Sequence, residues 1–207
     1  MHLKENSILA ITSKIFSIAE NRIIPRDSIS KIDLIKKDCD YFVCETSHGV
    51  CLTIKHGLLI PSSGIDESNS ESGDYLLFPE NPFQSLEILH EKLQSKLNIR
   101  SFGLIMTDSH SHALRKGVTG IALAHWGFKA TRNLVGAEDL FGRKLKMTMV
   151  NVVDSLAVSA VLTMGEAAEA CPLAILQCNH IEFTDRTDPS EIRIPLEEDL
   201  YGPLLKR

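Results

Sequence analysis

The chain has 207 residues, 43% of them hydrophobic and 24% charged, with a formal net charge of -5. That is enough apolar material for one large or two small packed domains, which excludes a disordered chain, and the acidic balance excludes the basic footprint of a nucleic-acid binder. Five cysteines (Cys39, Cys44, Cys51, Cys171, Cys178) are odd in number and form no C-x-x-C pair, so reduced thiols and a cytoplasmic location are expected.

From Met1 to Ala10 the chain carries Lys4, Glu5 and Asn6 and lacks the apolar core of a signal peptide, and no run of eighteen apolar residues occurs; no membrane partner is expected. Ser7 to Thr12 predicts a strand turning directly into a brief helix with Ser13 near its cap. Tyr41 to Cys44 and Val50 to Ile60 read as strands punctuated by Gly49 and Gly57. Ser62 to Asp74, dense in Ser, Gly, Asn and Asp, reads as a loop. Asn81-Pro82 opens a helix to about Leu97, with Leu86, Leu89, Leu93 and Leu97 on one face. Phe102 to Met106 predicts a buried strand that delivers Thr107, Asp108 and Ser109 at its C-terminal end, where open α/β sheets tend to bind ligands. Val118 to Ala124 and Lys146 to Val150 are further strand candidates, separated by a polar excursion containing Arg132, Asp139, Gly142 and Arg143. Asn151 precedes an apolar helix from Val152 to Met164, Gly165-Glu166 follows it, and Leu173 to Leu176 reads as a last strand. From about residue 182 a charged, proline-bearing tail is expected to wrap the body. The expectation is an α+β body spanning residues 1–207, a single domain with room for two lobes.

Asp66 and Asp108 each follow a short apolar run and precede small hydroxyl or amide residues. Hard cations such as Mg2+ or Mn2+ take carboxylate oxygens and complete their shell with water and phosphate, so the two aspartates form a candidate site, with Asn69 and Ser109 as neighbouring donors. The ordinary alternative is that both acids cap turns or helices. His110 and His112, two apart on extended chain, invite a zinc reading, but no third ligand has the right local spacing; loop histidines that touch substrate or solvent are the plainer reading. His48, His56, Cys44 and Cys51 read as structural. Neither a G-x-x-x-x-G-K-[ST] loop nor a G-x-G-x-x-G element is present, so any nucleotide is held by other means.

The ordered set Ile11-Thr12-Ser13-Lys14, His56-Gly57, Gly64-Ile65-Asp66-Glu67-Ser68-Asn69, Leu77-Phe78-Pro79-Glu80, Thr107-Asp108-Ser109, Gly117-Val118-Thr119-Gly120-Ile121-Ala122, Asp139-Leu140-Phe141-Gly142-Arg143 and Met164-Gly165-Glu166 resembles the coenzyme F-420 gamma-glutamyl ligase (CofE) family from about Ser7 to Cys178. The resemblance implies an α+β fold particular to that family, a homodimer, and a ligase that activates a carboxylate as an acyl phosphate with GTP (or ATP) and joins it to L-glutamate. It further implies that Mn2+ or Mg2+ is held by Asp66, Asp108, Ser109 and Glu166, and that Ser13, Lys14 and Asn69 contact the nucleotide. Asp108 and Arg115 would serve catalysis; Arg115 and Arg143 are candidate clamps for a phosphate or carboxylate, an ordinary surface arginine being the plain alternative. Phosphoryl transfer to a carboxylate brings anions together, and bridging cations offset that repulsion.

This chain departs from the family's pattern at Ile18, where relatives usually carry a lysine, at His110-Ser111-His112-Ala113 after the Thr-Asp-Ser element, and in a shorter N-terminal segment. The acceptor is accordingly expected to be either a deazaflavin precursor or a pterin, the latter making the chain a dihydrofolate or folylpolyglutamate synthase. A non-catalytic ligand-binding homologue and a zinc hydrolase built on His110 and His112 are readings from other classes.

Overall fold

A computed structural model describes residues 3–70 and 72–205. In chain order the elements are β1 Ser7–Thr12, α1 Ser13–Ala19, β2 Ile23–Ile24, α2 Lys31–Asp38, β3 Tyr41–Glu45, β4 Cys51–Lys55, β5 Leu58–Pro61, β6 Tyr75–Leu76, α3 Pro82–Leu97, β7 Phe102–Ser111, β8 Val118–Trp126, β9 Thr131–Asn133, β10 Met149–Asn151, α4 Val152–Met164, β11 Leu173–Leu176 and α5 Gly202–Leu205. Helices and mixed sheets alternate irregularly, and the fold is α+β.

The central sheet has the order β11-β1-β7-β8, with β1 and β7 parallel and the two flanking strands antiparallel. Both faces are covered, which is why β1 and the first half of β7 are apolar on both sides rather than alternating. On one face Ile8, Ala10 and Ile105 pack with Val153, Ala157, Ala160 and Val161 of α4. On the other, Ile11, Leu104 and Met106 pack with Phe16 of α1 and with Phe83 and Leu86 of α3. Gly120 lets β8 approach α4: a Cβ there would lie 2.3 Å from the Ala157 carbonyl oxygen. Within the α3 layer His125 is fully buried, edge-on to Phe83 and Phe128, and neither ring nitrogen has a hydrogen-bond partner among the described residues.

The two long helices begin where their sequence says they should. Asn81 accepts from the Gln84 amide ahead of Pro82, and Asn151 accepts from the Asp154 amide. Asp154 does a second job. Pairing along β7 and β8 passes from Met106–Ala124 to Thr107–Ala122, so Leu123 is an extra residue and β8 is bulged. The Asp154 carboxylate accepts from the Ala122 N–H at 2.9 Å, beside that irregularity, and ties β8 to the first turn of α4.

A three-stranded antiparallel sheet, β3-β4-β5, closes over α2 with a smaller core that includes Leu34, Ile35, Cys51, Ile65 and Tyr75. β2 pairs with β6, and β9 with β10 in an exposed ribbon. After Glu182 the chain lies along the end of β8. Thr184 donates to the Gly127 carbonyl, Gly127 donates to the Thr187 hydroxyl, and Glu191 takes both the Ala130 N–H and the Lys129 ammonium.

Three expectations need correction. The strand predicted to stop at Met106 continues to Ser111, because Asp108 to Ser111 keep pairing with Val118 to Ile121. Asp108 therefore lies inside a strand and not beyond its end. Ser13 is not the cap of α1: Thr12 occupies that position without a side-chain cap bond, and the Ser13 hydroxyl turns elsewhere. The strand predicted at Lys146 to Val150 is only Met149–Asn151, since the preceding residues belong to the ribbon's loop.

Candidate active site

Alternation along β7 divides its last residues between the two faces of the sheet. Leu104, Met106 and Asp108 share the side toward α1, whereas Ile105, Thr107 and Ser109 share the side toward α4. Asp108 accepts from the Ser13 hydroxyl at 3.4 Å. Ser109 donates to the Glu166 carboxylate at 2.5 Å, just past the C-terminal end of α4. The strand thus straddles a cavity of about 530 Å³ whose polar wall includes Lys14, Asn69, Asp108, Ser109 and Glu166. The cavity lies at the carboxyl end of β1, where Thr12 pairs with Thr107, beside the part of β7 that runs on past that point.

Asp66 approaches from the loop after β5. That loop is held by Ser63, which donates its hydroxyl to Asp38 at 2.7 Å and its amide to the Thr53 hydroxyl at 2.8 Å. Asp66 itself exchanges both backbone hydrogen bonds with Leu76. Its carboxylate accepts the Ser68 amide at 2.6 Å and meets the Lys14 ammonium at 2.5 Å. Burial raises its pKa, but Lys14 and the Ser68 amide outweigh burial and hold the carboxyl below its usual range. Asn69 follows in a left-handed conformation, φ 56°, a backbone shape that asparagine tolerates better than most residues.

Asp108 is the opposite case. Burial pushes its carboxyl up to about 7; Lys14, the Ser109 amide and the Ser13 hydroxyl favour the ionised form, while the charge on Asp66 opposes it. Two acids that repel each other, one of them poorly hydrated, form a setting in which added positive charge is stabilising. Among the described residues no three His, Cys, Asp or Glu side chains converge as a ready-made metal cage. Mg2+ and Mn2+ do not need one, because they are commonly bound through one or two carboxylates with waters and substrate phosphates filling the rest. The hard oxygen donors of Asp66 and Asp108 on one side of β7, and of Ser109 and Glu166 on the other, are of the chemical kind that such ions take.

The remaining candidates lie elsewhere. Arg115 is exposed in the turn between β7 and β8 and does not line the cavity. Arg143 is paired with Asp139 at 3.0 Å, and the Asp139 carboxylate also accepts the Phe141 and Arg143 amides. The Asp-Leu-Phe-Gly-Arg element thus folds upon itself and turns Leu140 and Phe141 outward, 98% and 80% exposed. His112 meets the Thr119 hydroxyl at 2.8 Å, and its ring lies edge-on to His110, 4.9 Å away. Burial first, and then His112, lower the pKa of His110. The zinc reading finds no third ligand among the described residues.

Ile18, singled out in the sequence as a departure from the family's lysine, lies on the cavity's apolar wall; sequence reasoning missed the rest of that wall, Ile15, Val161, Met164 and Cys171. Helix α4 is apolar nearly all round, so its pattern does not tell which side faces a ligand. It also missed Glu169, whose carboxylate accepts the Ala167 amide at 2.7 Å and folds against Gly165.

The family model for F420-0:Gamma-glutamyl ligase matches residues 1–177, from before β1 to just past β11. The chain is similar to the coenzyme F420:L-glutamate ligase of Methanocaldococcus jannaschii, 33% identical over 96% of this chain and 86% of that protein. It is also similar to the enzymes of the same name from Archaeoglobus fulgidus (30% identical, all of this chain and 88% of the relative) and Methanopyrus kandleri (29%, 84% and 76%). The residues that line the cavity come from the region the family model covers, and the chain belongs to the F420-0:gamma-glutamyl ligase family, a family of glutamate ligases.

Proposed function

We propose that this protein is a divalent-cation- and nucleotide-dependent ligase that forms an amide between a cofactor-precursor carboxylate and the amine of L-glutamate. The observation that carries the reading is one cavity bordered by Lys14, Asn69, Asp108, Ser109 and Glu166, with Asp66 bound to that same lysine. Mn2+ or Mg2+, bound by Asp66, Asp108, Ser109 and Glu166, would offset the repulsion between the acceptor carboxylate and the polyphosphate. Ser13, Lys14 and Asn69 would position the nucleotide, GTP or ATP, so that a carboxylate oxygen attacks the γ-phosphorus while the bond to the β-phosphate oxygen breaks. The amine of glutamate, its ammonium having released a proton to solvent, then attacks the acyl carbon; phosphate leaves, and one of the two protons left on nitrogen is lost while the other stays as the amide N–H. The apolar wall, Ile15, Ile18, Val161 and Met164, suits the flat ring of an acceptor; the relatives are named for coenzyme F420, and the family resemblance makes that acceptor a deazaflavin. Arg115, at a hairpin tip, would reach a phosphate only on movement of that turn.

The outward-facing Leu140 and Phe141 support a homodimer, since a pre-folded loop that presents two large apolar side chains to water is the form of a docking tip. The five unpaired cysteines support a reducing, cytoplasmic setting. No helix among the described residues is long and apolar enough to cross a membrane.

The test is a ligation assay with GTP or ATP, Mn2+ or Mg2+, L-glutamate and either the deazaflavin precursor or dihydropteroate. Glutamylated deazaflavin, lost in Asp108→Ala with the far-ultraviolet circular dichroism unchanged, is the expected result. Glutamylation of the pterin alone would redirect the acceptor, and binding of nucleotide without turnover of either acceptor would make the chain a non-catalytic homologue.

A further inference from the structure

Consecutive residues at the start of α1 each hold one of the two acids: Ser13 donates to Asp108, and Lys14 is bound to Asp66 at 2.5 Å. The Lys14 ammonium also acts on Asp108, and its side chain, about a quarter exposed, borders the cavity. One positive charge thus already serves a pair of carboxylates that a divalent cation would need. The lysine is the compact, mobile kind of counter-charge: an ammonium on a flexible four-carbon stem, with no rigid fork to fix it in place. We propose that Lys14 and a divalent cation compete for the Asp66–Asp108 pair, and that the ammonium released by the cation becomes the contact for the nucleotide's phosphates. The inference rests on the cation and nucleotide reading of this cavity and adds an order of events to it. A cation entering alone must displace Lys14 into water. With a polyphosphate present the displaced ammonium gains an anionic partner. Cation and nucleotide are therefore coupled positively, and by reciprocity each tightens the other by the same factor.

The probes are Mn2+, followed by the electron paramagnetic resonance of the free ion, and GDP, both with the full-length protein at about pH 8. That pH lies above the value of about 7 to which burial raises the Asp108 carboxyl. Without GDP, Lys14→Met is expected to bind Mn2+ about tenfold more tightly than the unaltered protein, the change produced by removing a competitor of modest strength. GDP should tighten Mn2+ binding in the unaltered protein and have little effect in Lys14→Met. Lys14→Gln, which keeps a polar group in the half-buried position, is the second variant if Lys14→Met loses its native circular dichroism. In the unaltered protein the rate of Lys14 acetylation should rise with Mn2+ alone and fall when GDP is added. If both lysine variants bind Mn2+ no more tightly than the unaltered protein, while Asp66→Asn binds it more weakly, competition is overturned with the cation site intact. If Asp66→Asn and Asp108→Asn bind Mn2+ as well as the unaltered protein, the site reading fails and this proposal fails with it.

Discussion

His125 makes the stability of this protein depend on pH in a way that one substitution should remove. The ring is fully buried between Phe83 and Phe128 with both nitrogens unpartnered, and burial pulls its pKa from 6.5 down to about 4, against the weaker upward pull of Glu191 and Asp188. A depressed folded-state value means that the unfolded chain takes up the proton first as pH falls. The stability contributed by the neutral ring is whole above pH 6.5 and is lost progressively down to about pH 4. At pH 5 the unfolded ring is about 1.5 units below its pKa and the folded ring is still neutral, so the loss relative to pH 7.5 is about 2 kcal/mol. Asp108 acts in the opposite direction over much of the same range, because a carboxyl raised to about 7 gains a proton in the folded state before it does so in the unfolded one. The raw pH profile is therefore a sum of opposing slopes, and the informative quantity is a difference. His125 pairs with Ile105, three residues along β7 from Asp108, or roughly 10 Å, far enough for the two effects to add. Urea unfolding of the unaltered protein and of His125→Phe at pH 7.5 and 5 should show the variant losing about 2 kcal/mol less than the unaltered protein across that interval. Whatever packing cost the larger ring carries is present at both pH values and cancels. Equal losses in the two proteins would refute the burial argument.

Four further outcomes are expected. Asp108→Asn should raise the melting temperature of the cation-free protein at pH 8, because it removes a poorly hydrated charge whose cost is on the order of 2–4 kcal/mol, and should abolish the rise in melting temperature that Mn2+ produces; a lower melting temperature contradicts this. Asp154→Ala, by leaving the Ala122 N–H and the Asn151 side-chain N–H without their acceptor, should cost about 1–3 kcal/mol in chemical denaturation. Gly120→Ala should be destabilising by a few kcal/mol, since β8 must move away from the Ala157 carbonyl; a neutral result in thermal melts would show that the α4 contact yields freely. For the proposed homodimer docked through this loop, Leu140→Asp should leave a monomer in light scattering where the unaltered protein is a dimer; a monomeric unaltered protein would refute the dimer, and a dimeric variant would place the interface elsewhere.

The elements that were legible from sequence are those with a strong local signature. Helix α3 runs from Pro82 to Leu97 because Asn81-Pro82 both caps and pre-orients it, and α4 and β11 occupy the predicted spans. The end of β7 was not legible, because hydrophobicity stops at Met106 while the backbone ladder continues through polar residues, and a ladder partner on another strand is invisible locally. The acids Asp66 and Asp108 were visible as a candidate pair from the short apolar runs they follow and the small polar residues after them, and the ordered set of motifs around them strengthened that reading. Their common neighbour Lys14 was expected to face a nucleotide, and its contact with Asp66 follows from α1 starting directly at the end of β1, a tertiary fact. Arg143 shows the limit from the other side: its motif is recognisable, yet its side chain is spent on Asp139, within its own loop.

Because neighbouring residues of β7 send Asp108 to one face of the sheet and Ser109 to the other, the chemistry depends on where the strand pair is in step. The Leu123 bulge, with Ala122 anchored to Asp154, is the feature beside the acids that sets this step. Most single substitutions nearby would weaken a contact and leave the acids aimed as they are. The insertion of one residue between Ala122 and Trp126 would instead shift the phase of β8 against β7 next to the acids, with every side chain retained. In a lineage of such chains, the shortest path from ligase to inert homologue would run through a change in length, and the sequence left behind would still carry every motif.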